Sequence, residues 1–113
     1  MLAEFLLARI AEDEAAAQEA NDHDRWESGE DGNGDPSVFE SDVTGQSWRV
    51  ALVGSSAVAE HVARHDPARV LAECEAKRRI VAANAALTYE PYVLLCLALP
   101  YSDHSDYDEA WRP

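Results

Sequence analysis

Apolar residues recur at three- and four-residue steps in two long segments of the chain, a spacing typical of amphipathic helices. The first segment covers about residues 2–20. The second begins at Pro67, because Asp66 can cap a helix and proline is favoured at the first helical position. A shorter helix is predicted between residues 55 and 65, after a serine cap. We therefore expect about three helices, the longest starting at Pro67.

The middle of the chain is less helical in character. Residues 38–39 and 48–53 are rich in β-branched and aromatic side chains, and a turn-like segment separates them. This pattern predicts a small β-hairpin, with Phe39 and Trp48 closing the core. Residues 21–37 combine acidic side chains with glycine, and we expect a flexible acidic loop there. The fold class is then mainly α with a small β-hairpin (α+β), in one small domain over residues 1–113.

Charge narrows the classes of partner. The chain has 9 basic and 22 acidic residues, a formal net charge of -13, and between residues 12 and 42 it has 12 acids but only Arg25 as a base. Such a segment disfavours direct nucleic-acid binding, which depends on Lys and Arg, and favours a basic protein surface. The candidate partner-binding acids are Glu12, Asp13, Glu14, Asp22, Asp24, Glu30 and Asp31.

The sequence contains no pattern that predicts a membrane segment or a leader. The amino terminus lacks a basic stretch and carries Glu4 within its apolar residues, unlike a signal peptide. The longest apolar run, residues 92–100, is far shorter than the ~20 residues that span a bilayer. We expect a cytoplasmic protein that does not bind membranes.

Three histidines offer an alternative function. His61 and His65 are four residues apart on one predicted helix, the spacing at which two imidazoles can share a metal, and His104 could complete the site. This would suit a metal-binding protein or a small hydrolase. The competing interpretation is that His65 interacts with the carboxyl end of its own helix while His61 is partly buried. We favour no metal and predict no cofactor.

Basic residues gather on either side of the predicted helix start at Pro67. Arginines beside a helix amino terminus can bind an anion, but Asp66 stands where the anion would lie. The alternative is that these cations pair with the acidic half of the chain. The motif candidates are His61, Arg64, His65, Asp66, Arg69, Lys77 and Arg78.

Three segments resemble a family of small proteins of unknown function from actinobacteria and their phages. The central segment, residues 61–80, reads HVARHDPARVLAECEAKRRI, and the tail, residues 97–113, reads LALPYSDHSDYDEAWRP. The opening helix, with Arg9 and the acids at 12–14, is also similar. Many relatives carry a cysteine-containing insert before the tail, where this chain has residues 89–92 without a cysteine pair. The resemblance implies that the motif residues carry whatever the family shares.

These observations favour a non-enzymatic interaction or regulatory protein over an enzyme. Its acidic segment, residues 12–42, would be offered to a basic partner, as in a phage inhibitor or a mimic of nucleic-acid charge. Two alternatives stay open. One is a homo-oligomeric structural protein, in which the apolar stretch 93–99 pairs between chains; the other is the metal-binding protein or hydrolase built on the three histidines.

Overall fold

The computed structural model describes residues 1–20 and 25–113. In these residues the elements follow in the order α1 (Leu2–Ala20), β1 (Arg25–Glu30), β2 (Pro36–Ser41), β3 (Ser47–Leu52), α2 (Ser56–Arg64), α3 (Pro67–Asn84) and α4 (Tyr92–Ala98). Two short 3₁₀ helices, Leu99–Tyr101 and Glu109–Trp111, complete the tail. None of the described helices is long and apolar enough to cross a membrane.

The fold class needs correction in its element count. The described residues form four α-helices and a three-stranded antiparallel sheet, whereas about three helices and a hairpin were expected; the α+β class itself agrees. The longest helix is also not the one that starts at Pro67, since α1 has 19 residues and α3 has 18. The first helix has the bounds that were expected, about residues 2–20, so the difference arises because α3 ends at Asn84.

Two predicted helix starts, one on a serine cap at Ser55 or Ser56 and one at Pro67 after an Asp66 cap, are confirmed. The Ser55 hydroxyl accepts the Val58 N–H at 3.2 Å, and α2 begins at the next residue. Asp66 Oδ1 accepts the Arg69 N–H at 2.9 Å, and α3 begins at Pro67. Each cap satisfies an amide that has no partner within its helix.

Contacts divide the chain into two compact units. The helical unit comprises residues 1–15 and 72–113, and the sheet unit comprises residues 16–71. In the helical unit, fully buried aliphatic side chains come from α1, α3 and α4, and they follow the spacing expected of helix faces packed together. They include Leu2, Leu6, Ile10, Val81 and Leu94.

Aromatic residues of the tail pack around one side chain of α1. The Phe5 ring lies 6.4, 6.0 and 5.2 Å, between centroids, from the rings of Tyr101, Tyr107 and Trp111. These edge-on and tilted arrangements suit the charge distribution of aromatic rings. Tyr101, Tyr107 and Trp111 are each half-buried, so the tail covers Phe5 at the border of the core of the helical unit.

The sheet unit is built on three consecutive antiparallel strands in the order β1-β2-β3. The α2 helix packs on β1 and β2, and Val38 of β2 and Ala59 of α2 are buried. The expectation that Trp48 closes the core is wrong: Trp48 lies on β3, outside the strands that α2 packs on, and it is exposed. Phe39 is half-buried and lies against Gly29, where a Cβ would come within 3.3 Å of the ring.

Part of the segment expected to be a flexible loop is a strand. Every residue of β1 pairs with a residue of β2, from Arg25 opposite Ser41 to Glu30 opposite Pro36. The strand has almost no apolar pattern, so pairing with β2 rather than burial of its own side chains defines it. Residues 21–24, which belonged to the same expected loop, lie outside the described residues.

Two turns of the same design connect the three strands. Asp31 Oδ1 accepts the N–H groups of the residues two and four positions later, at 2.9 and 3.0 Å, and Asp42 Oδ1 does the same at the same distances. Gly34 and Gly45 each follow their aspartate by three residues and have φ of 80° and 85°. This left-handed backbone is strained for other residues, so the glycine is required in both turns.

Candidate functional site

A wide groove in the sheet unit brings together part of the predicted motif. It has a volume of about 850 Å³ and lies where β1 meets α2 and the start of α3. The motif residues Arg64, Asp66 and Arg69 line it, together with Arg25 and Trp26 of β1. Sequence reasoning did not select Arg25 and Trp26, because nothing local indicates that β1 lies beside residues 64–69.

Asp66 is a buried polar group of this groove, and both of its carboxylate oxygens have hydrogen-bond partners. It is 8% exposed, its Oδ1 caps α3 through Arg69, and its Oδ2 accepts the Trp26 N–H at 3.4 Å. One carboxylate therefore fixes the start of α3 and holds β1 against it. Because both oxygens already accept hydrogen bonds, Asp66 occupies the position that an anion would take at this helix terminus.

The charges that line the groove balance one another. Arg64 Nη2 donates to Glu60 Oε1 at 2.8 Å, and Arg69 Nη1 donates to the Arg64 carbonyl oxygen at 3.3 Å. Three arginines are matched by Asp66, Glu27 and Glu60. The groove has no excess of positive charge with which to attract an anion towards an acidic protein. Its arrangement is consistent with stabilising the sheet unit.

The histidine pair on α2 is exposed. The rings of His61 and His65 lie 4.6 Å apart between centroids, and His65 Nδ1 is 2.8 Å from the His61 carbonyl oxygen. His65 is the carboxyl-terminal cap residue of α2, so its predicted interaction with that helix end is confirmed. The prediction that His61 is partly buried is wrong.

The third histidine has other contacts. His104 belongs to the helical unit, where its ring contacts the Arg9 guanidinium and lies 5.7 Å from the Phe5 ring between centroids. Within residues 1–20 and 25–113, no group of three or more His, Cys, Asp or Glu side chains could hold a metal ion.

Lys77 and Arg78 of the motif act within the helical unit. Arg78 Nε and Nη2 donate to the two carboxylate oxygens of Glu14 at 2.6 and 2.7 Å. These hydrogen bonds hold the pKa of Glu14 below its usual range and raise the pKa of Arg78. Lys77 Nζ lies 5.7 Å from the centre of the Tyr101 ring, a cation–π geometry.

The predicted partner-binding acids of α1 have intramolecular partners. Glu12 Oε1 accepts from Arg9 at 2.9 Å, and Asp13 Oδ2 accepts from the Tyr101 hydroxyl at 2.6 Å. Burial, followed by the hydrogen bond to Asp13, raises the pKa of Tyr101. Asp13 and Glu14 therefore join α1 to the tail and to α3, whereas the Glu12 ion pair is local to α1.

The predicted partner-binding acids of the sheet unit differ in their exposure and in their partners. Glu30 is exposed on β1, whereas Asp31 is half-buried in the first turn and Arg49 Nη1 donates to its Oδ2 at 3.0 Å. The turn amides that donate to Asp31 lower its pKa, and Arg49 adds to this effect. The remaining two predicted acids, Asp22 and Asp24, lie outside the described residues.

The apolar stretch 93–99 of the homo-oligomer alternative is divided between core and surface. Leu94 and Ala98 of α4 are buried in the helical unit, and Val93 and Leu99 are exposed. This is the ordinary pattern of an amphipathic helix that packs on its own unit.

The fold and the groove define a small acidic α+β protein with a helical unit and a sheet unit. Comparison with known proteins identifies its family. The chain matches the family of unknown function DUF6221 over residues 1–113 and belongs to that family. No curated protein and no solved structure matches it.

Proposed function

We propose that this protein is a small, non-enzymatic interaction or regulatory protein that offers its acidic segment, residues 12–42, to a basic protein partner. One observation carries the proposal: the acids of this segment are used differently along the chain. Glu12, Asp13 and Glu14 of α1 bond to Arg9, Tyr101 and Arg78 within the protein, whereas Glu27 and Glu30 on β1 are exposed. The part of the segment that is offered to a partner is then β1, one of the two edge strands of the sheet.

The charge of the sheet unit supports this proposal. The sequence places eleven acidic residues and four arginines in residues 16–71, so the sheet unit carries -7 of the net charge of -13 and is itself strongly negative. Such a field accelerates encounter with a basic surface and repels phosphate backbones. A charge field alone gives little affinity, so the interface also needs apolar contacts.

The proposed setting follows the sequence resemblance. We propose an actinobacterial or phage protein in the cytoplasm that inhibits a basic host protein or mimics nucleic-acid charge towards it. In either role the protein needs no metal, cofactor or catalytic residue.

The test is capture from an actinobacterial lysate with the tagged full-length chain at about 50 mM salt, where exposed charges are weakly screened. We expect a basic protein to be recovered and to elute as the salt is raised. The double substitution Glu27→Gln, Glu30→Gln should reduce recovery about threefold or more, because it removes charge from the exposed edge strand.

The matched control is Glu4→Gln, Glu90→Gln. It removes the same charge from two exposed residues of the helical unit. Equal loss of recovery in both double variants would show that only net charge matters. Recovery of no protein, or of nucleic acid alone, would contradict the proposal.

A further inference from the structure

The outer strand β3 exposes large apolar side chains at the edge of the sheet. Trp48, Val50 and Leu52 are 42%, 40% and 57% exposed. In the described part of the chain, β3 pairs only with β2, so its other edge presents backbone N–H and C=O groups. An exposed edge strand with apolar side chains is a template on which another strand can pair.

The surroundings of β3 are acidic. Trp48 lies opposite Glu40, Asp42 begins the turn that leads into β3, and Asp31 holds Arg49. Glu40 is only 8% exposed and Asp31 is paired with Arg49, so the negative charge around β3 is that of the sheet unit as a whole, with eleven acids and four arginines in residues 16–71. A segment that pairs here would meet apolar side chains on the strand and a net negative charge around it.

A second copy of the chain fits this edge poorly. Each copy carries a net charge of -13, so two copies repel one another.

We infer that β3 accepts an extended basic segment of a partner protein as a fourth strand of the sheet. Backbone hydrogen bonds along β3 would supply affinity, and alternating apolar and Lys or Arg side chains would supply selectivity. The inference rests on the proposed function, because it takes the partner to be a basic protein. It adds a second contact on β3, which is the edge opposite β1 and lies outside residues 12–42.

The probe is a capped peptide of about eight residues in which lysine and valine alternate, a length that covers one strand. Binding to the full-length chain is measured by fluorescence anisotropy and mapped by amide chemical shifts. We expect the largest shifts in β3. A glutamate–valine peptide of the same length should not bind, and N-methylation of alternate peptide amides should weaken binding about tenfold, because it removes strand hydrogen bonds without altering charge.

Two protein variants complete the test. Val50→Lys places a charge on the edge and should weaken binding of the lysine–valine peptide about tenfold, a standard way in which edges are blocked. Val43→Lys changes the net charge equally at a residue that is 91% exposed in the turn and should weaken binding less than about twofold.

Several outcomes would overturn the inference. They are no binding, binding that N-methylation leaves unchanged, equal weakening by the two lysine variants, and self-association that Val50→Lys abolishes, which would make a second copy the occupant. A failure of this inference is distinguishable from failure of the proposed function. If lysate capture is reduced by Glu27→Gln, Glu30→Gln but not by Val50→Lys, the function holds and the β3 assignment is wrong.

Discussion

The helical unit and the sheet unit bury their apolar side chains very differently. The helical unit encloses several large aliphatic residues, among them Leu2, Leu6 and Ile10, and surrounds Phe5 with aromatic rings. In the sheet unit, the largest fully buried side chains within the described residues are Val38 and Ser37. Burial of apolar area is the main favourable contribution to folding, so the helical unit holds most of the stabilising contacts.

The sheet unit depends on short-range polar contacts in place of a large core. Aspartates order both of its turns, Asp66 caps α3 and bonds to β1, and α2 has a serine cap. Meanwhile Val50 and Leu52 stay exposed. The helical unit also exposes large apolar side chains, among them Leu87, Tyr89 and Tyr92, so our proposal of binding by the sheet unit depends on the edge that β3 leaves unpaired within the described residues. A unit without a large core also opens locally more readily.

The largest expected difference comes from the same substitution made in each unit. Leu6→Ala removes a fully buried side chain of the helical unit and should lower the free energy of unfolding by about 3 kcal/mol, since it leaves a cavity. Leu52→Ala removes a side chain that is mostly exposed and should change it by less than about 0.5 kcal/mol.

Urea denaturation followed by circular dichroism measures both variants. The difference between the units would be contradicted if Leu52→Ala lowered the free energy of unfolding as much as Leu6→Ala does. That result would mean that β3 is buried in the protein as it exists in solution.

The sheet unit should instead be sensitive to loss of a cap. Asp66→Ala removes the acceptor for the Arg69 and Trp26 amides and should cost about 1 kcal/mol of stability. Asp66→Asn keeps a side-chain oxygen and is the matched control, with a much smaller loss. Hydrogen exchange should show faster exchange at the Trp26 amide in Asp66→Ala. Equal loss in the two variants would show that the negative charge matters and the cap does not.

These contacts also show which features a sequence can reveal. The caps at Ser55 and Asp66 were predicted because a cap depends on residues within one helical turn. The Asp66 contact to Trp26 joins residues 40 positions apart, and no local pattern indicates it. Only residues on the α2 and α3 side of the groove were therefore selected from the sequence, namely Arg64, Asp66 and Arg69.

The strand that was not predicted, β1, could have been recognised from the turn that follows it. Asp31 and Gly34 have the same spacing as Asp42 and Gly45, and the second pair lies in the hairpin that the sequence did predict. β1 itself lacks β-branched residues, so its strand pattern is weak. By contrast, the exposure of Trp48 could not be predicted, because it depends on which strands α2 packs on.

A smaller effect tests the two turns. Gly34 has φ of 80°, so Gly34→Ala should lower stability by about 1 kcal/mol, the cost of forcing an alanine into this backbone region. Gly32 lies in the same turn without a positive φ and with open space around its Cα, so Gly32→Ala should be close to neutral. Thermal unfolding of both variants checks this prediction. If both substitutions cost the same, the turn backbone does not contribute as described.

The smallest expected effect is on the pH dependence of stability. It compares the long-range ion pair of Glu14 with the local turn at Asp31. Arg78 lowers the pKa of Glu14, and turn amides lower the pKa of Asp31. A carboxylate whose pKa is lowered on folding stabilises the protein above its unfolded-state pKa, and this contribution is lost as pH falls through the folded-state pKa. Urea midpoints measured from about pH 7 to about pH 3 should therefore fall less steeply in Glu14→Gln and in Asp31→Asn than in the wild type.

High salt should separate the two carboxylates. Screening weakens an ion pair between partly exposed groups, so the effect of Glu14→Gln should shrink in about 1 M salt. Hydrogen bonds from the turn amides to the Asp31 carboxylate are less sensitive to salt, so the effect of Asp31→Asn should largely persist. Only the contribution of Arg49 to the stability of the turn should be screened. Equal salt sensitivity would mean that Asp31 acts mainly through Arg49. The sheet unit would then depend on charge pairing to the same degree as the helical unit.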